Sequence, residues 1–182
     1  GTMVTVVAER YLTVEEAQRV CFPGADRFQA ETIRFTPEGS KAIASQSGVK
    51  VPKPEIEIRL AQHGTQLLGV LVLDRVLSKH EFIDYAVALT VDGKIRQVEI
   101  LEYRERYGSE IRGAKWRDQF KGKNAAAKLR LNDDIYNISG ATISCRHITE
   151  GVKRILATYE LAVRPRLLAA GWLPSPATSP QP

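Results

Sequence analysis

Length, composition and charge exclude several classes of protein. The chain has 182 residues, 43% of them hydrophobic and 26% charged, which suits one globular domain large enough for a core of its own. The net charge is +5, but 26 basic residues are scattered among 21 acidic ones, so no nucleic-acid-binding arm or basic membrane-surface helix is indicated. Apolar runs such as Leu67 to Leu73 are strand-sized, far below the ~20 residues of a membrane span.

The chain ends and the cysteines bear on where the protein works. Gly1-Thr2-Met3 is typical of a cloning remnant, which leaves room for a signal peptide or membrane anchor ahead of the sequence. Cys21 and Cys145 are too few for a disulfide framework and form no metal-binding pattern, so they leave the compartment open. Residues 174–182 are rich in Pro, Ser and Thr and predict a partly disordered tail.

The beginning of the chain predicts two short helices. A capping box that begins at Thr13 opens the first, and Pro23 ends it because proline cannot continue a helix. Pro37 suits the first position of the second helix. Glycine and prolines within residues 45–54 then predict a connector. We therefore assign residues 1–54 to an N-terminal helical segment that packs on the core.

The middle of the chain predicts an antiparallel sheet. Apolar and charged residues alternate from Ile56 to Leu60, the period of two typical of a strand buried on one face. Asp92-Gly93 is a strong hairpin signal between two further strands. The predicted strands run from Ile56 to Leu60, Leu67 to Val76, Phe82 to Val91 and Ile95 to Tyr103. We expect about four or more strands.

The residues after the sheet predict two more helices. A short one covers residues 114–120, and a loop rich in Gly, Lys and Asn leads to a long amphipathic helix from about Cys145. Pro165 is expected to end or kink the long helix. The predicted fold is α+β, an antiparallel sheet with helices packed on it. Residues 55–165 form its main domain and residues 166–182 its C-terminal tail.

A hydroxyl-rich segment leads directly into the long helix and consists of Ser139, Gly140, Ala141, Thr142, Ile143 and Ser144. Small residues let a ligand approach the backbone, hydroxyl groups donate hydrogen bonds, and the helix N-terminus offers free N–H groups. A phosphate fits this end of a helix through hydrogen bonds and the helix dipole. Taken alone, the pattern is more often an ordinary N-cap than an anion site, and both interpretations stay open at this point.

The same segment resembles the FMN-binding domain family, which includes small flavin subunits of the Na+-pumping NADH:quinone oxidoreductase and of the Rnf complex, and small secreted members. In that family the threonine of an S/T-G-A-T motif receives FMN from a flavin transferase through a phosphoester bond, and Thr142 is the matching residue. A loop after the last strand is the family's second landmark, which Glu105-Arg106-Tyr107-Gly108 resembles. The similarity extends over about residues 60–156.

The resemblance implies an extracytoplasmic one-electron carrier with FMN attached covalently at Thr142. A flavin transferase would mature it, and membrane-bound or extracytoplasmic redox proteins would be its partners. The residues expected to hold FMN are Ser139, Gly140, Ala141, Thr142, Ile143 and Ser144 at the helix start, Glu105, Arg106, Tyr107, Gly108, Ser109 and Glu110 in the loop, and Lys128. Lys123 and Lys128 would neutralise the phosphate, the alternative being that both are solvated.

Two other functions stay open at this stage. One is a flavin-binding sensory or regulatory module of a membrane redox system that relays no electrons. The other is a flavin reductase with a substrate of its own. No general acid, base or nucleophile for bond cleavage is recognisable, since a Cys145/His147 pair lacks an orienting third group. His80 and Lys79 predict a solvated turn, with a role for His80 near the flavin as the alternative.

One position departs from the family pattern. An Asp usually stands six residues before the acceptor threonine, whereas Tyr136 stands there in this chain. If the flavin transferase reads that Asp, Thr142 is expected to be modified inefficiently, or FMN to bind without the ester.

Overall fold

An antiparallel sheet of six strands forms the centre of the described chain, which comprises residues 9–10 (backbone alone) and 12–174 of this computed structural model. The strands are β1 (Glu9–Arg10), β2 (Arg27–Arg34), β3 (Glu55–His63), β4 (Gln66–Leu77), β5 (Phe82–Thr90) and β6 (Ile95–Tyr103). Across the sheet they lie in the order β1-β6-β5-β4-β3-β2. Gly1-Thr2-Met3 and residues 175–182 of the predicted tail lie outside the described residues.

The helices cover both faces of this sheet. They are α1 (Val14–Cys21), α2 (Pro37–Ser47), α3 (Ala114–Arg117), α4 (Thr142–Thr158) and α5 (Arg164–Ala169), with 3-10 turns at Ser109–Arg112 and Asp118–Phe120. The α+β prediction is confirmed, as are the two N-terminal helices and the four predicted strands. Strand β2 was not predicted. It is an edge strand on which Ile33 is the one buried residue, so its sequence lacks the alternation of a half-buried strand.

Two apolar clusters lie on opposite faces of the sheet. Side chains alternate along each strand, so Val70 and Val72 face one cluster while Leu71 faces the other. The larger cluster is closed by helix α4 and contains Trp116, which is 2% exposed. The smaller one lies under α1. Helix α4 is therefore held by its packing on the sheet.

A buried ion pair also joins α4 to the sheet. Asp74 Oδ2 accepts hydrogen bonds from the Tyr85 hydroxyl and from the Arg154 guanidinium. Gly151 lies against Tyr85, where a Cβ would overlap the hydroxyl oxygen. Burial, followed by the charge of Asp74, raises the pKa of Tyr85 well above its ordinary value, so the phenol stays a donor. These contacts fix the position of α4 along its own axis relative to strands β4 and β5.

Pro165 does not end the last helix. Helix α4 passes into a π-helical turn at Tyr159–Val163, and α5 follows with Pro165 in its first turn. A proline lacks the N–H that an uninterrupted α-helix requires and its ring collides with the preceding turn. The wider π turn precedes the proline and lets the chain continue as a helix.

The two cysteines are free thiols on opposite sides of the sheet. Cys21 belongs to the cluster under α1 and Cys145 to the cluster under α4. Burial raises the pKa of Cys21 to about 12 and also raises that of Cys145, so neither is a ready nucleophile. Within the described ranges no helix combines the length and apolarity of a membrane span.

Candidate functional site

The start of α4 is built differently from a capped helix. Its N-cap residue is Ala141, and no side chain of the described chain caps it. Helices α1 and α2, in contrast, are capped by the hydroxyls of Thr13 and Thr36. The Thr142 side chain therefore does not cap this helix, and Thr142 is its first residue. The helix starts three residues before the predicted Cys145, and its first N–H groups have no side-chain cap.

Thr142 is the first residue of α4 and is half-buried. Its Oγ1 accepts a hydrogen bond of 2.8 Å from Asn137 Nδ2. Gly140, two residues earlier, has φ +84°, and a Cβ there would meet no atom within 4 Å. Glycine is needed at this position for the backbone conformation rather than for space. The Thr142 hydroxyl is thus held by Asn137 just after a turn that has open space at Gly140.

The loop after β6 lies directly against this turn. Gly108 has φ +87°, and a Cβ there would lie 2.8 Å from Ala141 Cβ and 2.7 Å from Tyr103 Oη. Only glycine allows such an approach at that φ. The structure therefore brings together the two segments that the family resemblance assigned to one site, although Gly108 and Ala141 are 33 positions apart in sequence.

A chain of hydroxyl groups runs beneath the turn. Tyr103 donates its single proton to the Tyr107 carbonyl, so its oxygen accepts from Ser144 Oγ at 3.3 Å. Ser144 in turn accepts from Ser78 Oγ at 2.6 Å, and both serines are 4% exposed. Burial, with added repulsion from Glu105, raises the pKa of Tyr103 and keeps it protonated. The chain ties the first turn of α4 to two loops.

Glu105 anchors the turn between β4 and β5. Its carboxylate accepts hydrogen bonds from the backbone N–H groups of His80 and Glu81, the latter at 2.8 Å. Burial opposes the charge, but these two donors outweigh burial and hold the pKa of Glu105 below its ordinary value. The His80 ring is 72% exposed and lies 3.8 Å from the carboxylate. The turn at Lys79 and His80 is exposed, as predicted, and a role for His80 near a flavin stays a prediction.

Exposed apolar side chains surround the start of α4. Tyr107 is 73% exposed, with the Arg106 guanidinium 5.7 Å from its ring centroid, and Ile143 is 41% exposed. Leu77 is 49% exposed, and its carbonyl accepts a hydrogen bond from His147, one helical turn after Ile143. Flat, exposed apolar side chains beside a polar helix terminus suit a ligand that has a phosphate and an aromatic ring.

Among the described residues, the remaining predicted ones form no hydrogen bond with the Thr142 side chain. Ser109 and the exposed Glu110 form the 3-10 turn after Gly108, and Ser139 is exposed ahead of Gly140. Lys128 is 72% exposed and pairs with Asp133 at 3.6 Å, while Lys123 pairs with Asp134 at 3.5 Å. The structure gives neither lysine a contact with Thr142.

Sequence reasoning missed four residues of the site, namely Asn137, Ser78, Tyr103 and Leu77. Asn137 lies five residues before Thr142, so its position in the motif was the available signal. The others reach α4 from strands or turns 41 to 70 residues away in sequence. No local pattern predicts such pairs.

A separate groove of about 680 Å³ lies on the α1 side of the sheet. Its lining carries more carboxylates than cations, with Glu15, Glu55, Glu57, Asp74, Asp84 and Glu102 against Lys53 and Arg75. Arginines of the described chain pair with four of these carboxylates, and the remaining two, Glu15 and Glu55, still outnumber Lys53, the one lining cation without an ion pair in that part of the chain. This balance makes the groove a poorer phosphate site than the α4 start.

Comparison with known proteins identifies related chains. Residues 79–157 match the family model described as FMN-binding domain. This range contains the loop at residues 105–110, the segment 139–144 and nearly all of α4. The match therefore includes both parts of the site at the helix start.

Two curated relatives and one solved structure are similar to the chain. The G component of the Na(+)-translocating ferredoxin:NAD(+) oxidoreductase complex of Acetobacterium woodii is 25% identical over 155 residues, covering 79% of this chain and 72% of the relative. The G component of the proton-translocating ferredoxin:NAD(+) oxidoreductase complex of Clostridium ljungdahlii is 32% identical over 100 residues, 51% of this chain and 54% of that relative, so the match spans about half its length. The crystal structure of Shewanella oneidensis NqrC shares the fold, with a TM-score of 0.57 and 17% identity over 83% of this chain and 88% of NqrC.

Proposed function

From the premise that residues 79–157 belong to the FMN-binding domain family, we propose that the chain carries one FMN, esterified through its phosphate to Thr142. The FMN relays electrons, one at a time, outside the cytoplasm. The observation that carries the proposal is the start of α4. There a half-buried threonine hydroxyl, oriented by Asn137, precedes N–H groups without a side-chain cap.

The residues at the helix start fit the parts of FMN. The first turn of α4 offers backbone donors and the positive end of the helix dipole to the phosphate. Thr142 offers the oxygen of the ester. Tyr107 and Ile143 offer exposed apolar surface to the ring system. FMN supplies reversible electron transfer when it is bound, and the chain fixes its position and excludes water from one side.

A relay suits this arrangement better than turnover of a soluble substrate. A flavin held by an ester stays on the chain while electrons pass. The thiol of Cys145 is fully buried with a raised pKa, so the pair with His147 supplies no nucleophile. Both curated relatives are named as parts of oxidoreductase complexes that translocate ions. Membrane-bound redox proteins are therefore the proposed partners.

Intact-mass analysis after co-expression with a flavin transferase tests the ester. We expect the wild-type chain to gain the mass of one FMN less water and Thr142→Ala to gain nothing. Thr65→Ala, which removes an exposed hydroxyl far from α4, is the matched control and should be modified like the wild type. An unmodified wild-type chain, under conditions that modify another family member, would contradict the covalent link.

Reduction kinetics test the relay. The FMN-loaded chain is mixed in separate experiments with a reduced ferredoxin and with NADH. We expect rapid bleaching of the flavin by a protein donor and slow or no bleaching by NADH. Steady NADH consumption by the isolated loaded chain would make it a reductase instead.

The extracytoplasmic placement is supported by the resemblance to small secreted family members. Protease treatment tests this placement, using cells of the source organism whose outer envelope is permeabilised and whose cytoplasmic membrane is intact. Digestion of the chain, while a cytoplasmic marker survives, is the expected result.

A further inference from the structure

We propose that Asn137 is the positioning residue for esterification of Thr142, a proposal that rests on the proposed function. The Asn137 side chain donates from Nδ2 to Thr142 Oγ1 over 2.8 Å. Its carbonyl oxygen, Oδ1, is buried and has no hydrogen-bond partner within the described chain. The one hydrogen bond that the described chain gives this amide is therefore the one to Thr142.

The orientation of the amide decides which group donates. In the structure Nδ2 donates one N–H to Thr142 Oγ1, while Oδ1 has no partner within the described chain. The exchanged orientation would make Thr142 the donor and turn both amide N–H groups away from it. Either orientation ties the Thr142 oxygen to the amide of Asn137. In the orientation of the structure the Thr142 oxygen keeps its proton and one free lone pair.

The backbone on both sides of Asn137 is held firmly. The Tyr136 carbonyl accepts from the Trp116 indole at 2.9 Å, and the Tyr136 N–H donates to Gln119 Oε1 at 2.9 Å. Ala141 N–H donates to the Ile138 carbonyl at 3.0 Å and closes the turn that leads into α4. The amide therefore reaches Thr142 from an anchored segment and can hold the hydroxyl in one rotamer.

The reaction gains from that fixed rotamer. The Oγ1–P bond forms while a P–O bond breaks in an activated donor, a flavin nucleotide with a pyrophosphate linkage carried by the transferase. The leaving group is a nucleoside monophosphate, and the hydroxyl proton passes to a basic group of the transferase. Holding the nucleophilic oxygen in line lowers the entropic part of the barrier. The Asn137 N–H still matches Oγ1 after the ester has replaced the hydroxyl.

The test follows the mass of the purified chain over time with purified transferase. Because one neutral hydrogen bond is at stake, Asn137→Ala should be modified about three- to tenfold more slowly than the wild type. Asn137→Asp should be slower still, since its carboxylate faces an incoming phosphate. Asn124→Ala, in the same loop but hydrogen-bonded to Ala126, is the control and should keep the wild-type rate.

A double-mutant cycle and melting temperatures distinguish positioning from a structural role. Serine at position 142 rotates more freely than threonine because it is not β-branched, so loss of Asn137 should slow modification more in Thr142→Ser than in the wild type. Removing the unsatisfied oxygen should leave the melting temperature of the unmodified chain unchanged or raise it. A slower rate that only accompanies a lower melting temperature would overturn the proposal.

Equal rates for Asn137→Ala and the wild type would also overturn it, and the proposed function would then stand as long as Thr142→Ala gains no mass. A mass gain in Thr142→Ala would overturn the proposed function itself.

Discussion

Helices α1 and α4 each have a threonine at their start, yet they begin in different ways. At α1, Thr13 and Glu16 each accept a hydrogen bond from the other's backbone N–H at 3.1 Å, a complete capping box. At α4 the N-cap is Ala141, and the hydroxyls of Thr142 and Ser144 contact Asn137 and Ser78 instead. The hydroxyls serve the helix at α1 and serve tertiary contacts at α4.

The difference follows from how each helix is stabilised. Helix α4 buries 11 of its 17 residues, whereas α1 buries two of eight. A helix held by packing forms without a cap, while a short exposed helix depends on one. The start of α4 is thereby free to bind a ligand. The preference for a capped helix start is therefore not met at α4, where tertiary packing makes a cap unnecessary and where the proposed chemistry takes place.

The largest expected effect concerns the phosphate. If the first N–H groups of α4 bind it, unmodified Thr142→Ala protein should bind FMN at least ~10-fold more tightly than riboflavin, since each charge-assisted hydrogen bond contributes ~1.5–3 kcal/mol. Calorimetric titration with both ligands measures the ratio. Equal affinities, or no binding of either ligand, would remove the phosphate from this helix start.

Glycine substitutions separate close contact from backbone conformation. Gly108→Ala combines a positive φ with overlap against Tyr103 and Ala141, so it should destabilise the chain by more than the ~1–2 kcal/mol expected for the positive φ alone. Gly48→Ala, at the C-cap of α2, has φ +70° and open space, and it isolates the conformational part. Urea unfolding gives both values. Only Gly108→Ala should also lower the yield of flavinylated chain, and equal effects of the two variants would contradict the close approach.

Matched threonine variants test the comparison of the two helix starts directly. Thr13→Ala should lower the free energy of unfolding by ~1 kcal/mol because it removes a cap, and it should leave the flavinylated fraction unchanged. Thr142→Ala should abolish flavinylation, and because it removes a hydrogen bond from Asn137 but no cap, its loss of stability should not exceed the ~0.5–1.5 kcal/mol of one neutral hydrogen bond. Urea unfolding and intact mass are measured on both variants. A large loss of stability in Thr142→Ala would mean that its hydroxyl stabilises the helix after all.

The sheet was predictable because its residues alternate and its hairpins are local. Asp92-Gly93 forms the expected turn, with Gly93 at φ +84°. Strand β2 escaped prediction for two reasons. Its partner, β3, lies beyond α2 in the sequence, and few of its own side chains are buried. The start of α4 was placed late because Thr142 and Ile143 are β-branched and favour helices weakly. Packing decided both cases.

The site could be predicted only where a motif carried it. Thr142 and the Gly108 loop were found through resemblance, and the structure places them side by side. The hydroxyl chain from Ser78 through Ser144 to Tyr103 depends on contacts between distant elements. Serine and tyrosine are common residue types, so the sequence gave no local sign of this hydroxyl chain.

The smallest expected effect concerns Tyr136, which stands where family members usually have Asp. Its side chain is 46% exposed and its hydroxyl donates to the Lys115 carbonyl at 3.1 Å. The anchoring contacts of residue 136 use its backbone, so Tyr136→Asp should keep the turn intact. A carboxylate there restores the family pattern, and we expect the flavinylated fraction to rise at limiting transferase. Tyr136→Phe, which loses the hydroxyl but gains no charge, should match the wild type. Equal yields for all three chains would show that position 136 does not limit attachment.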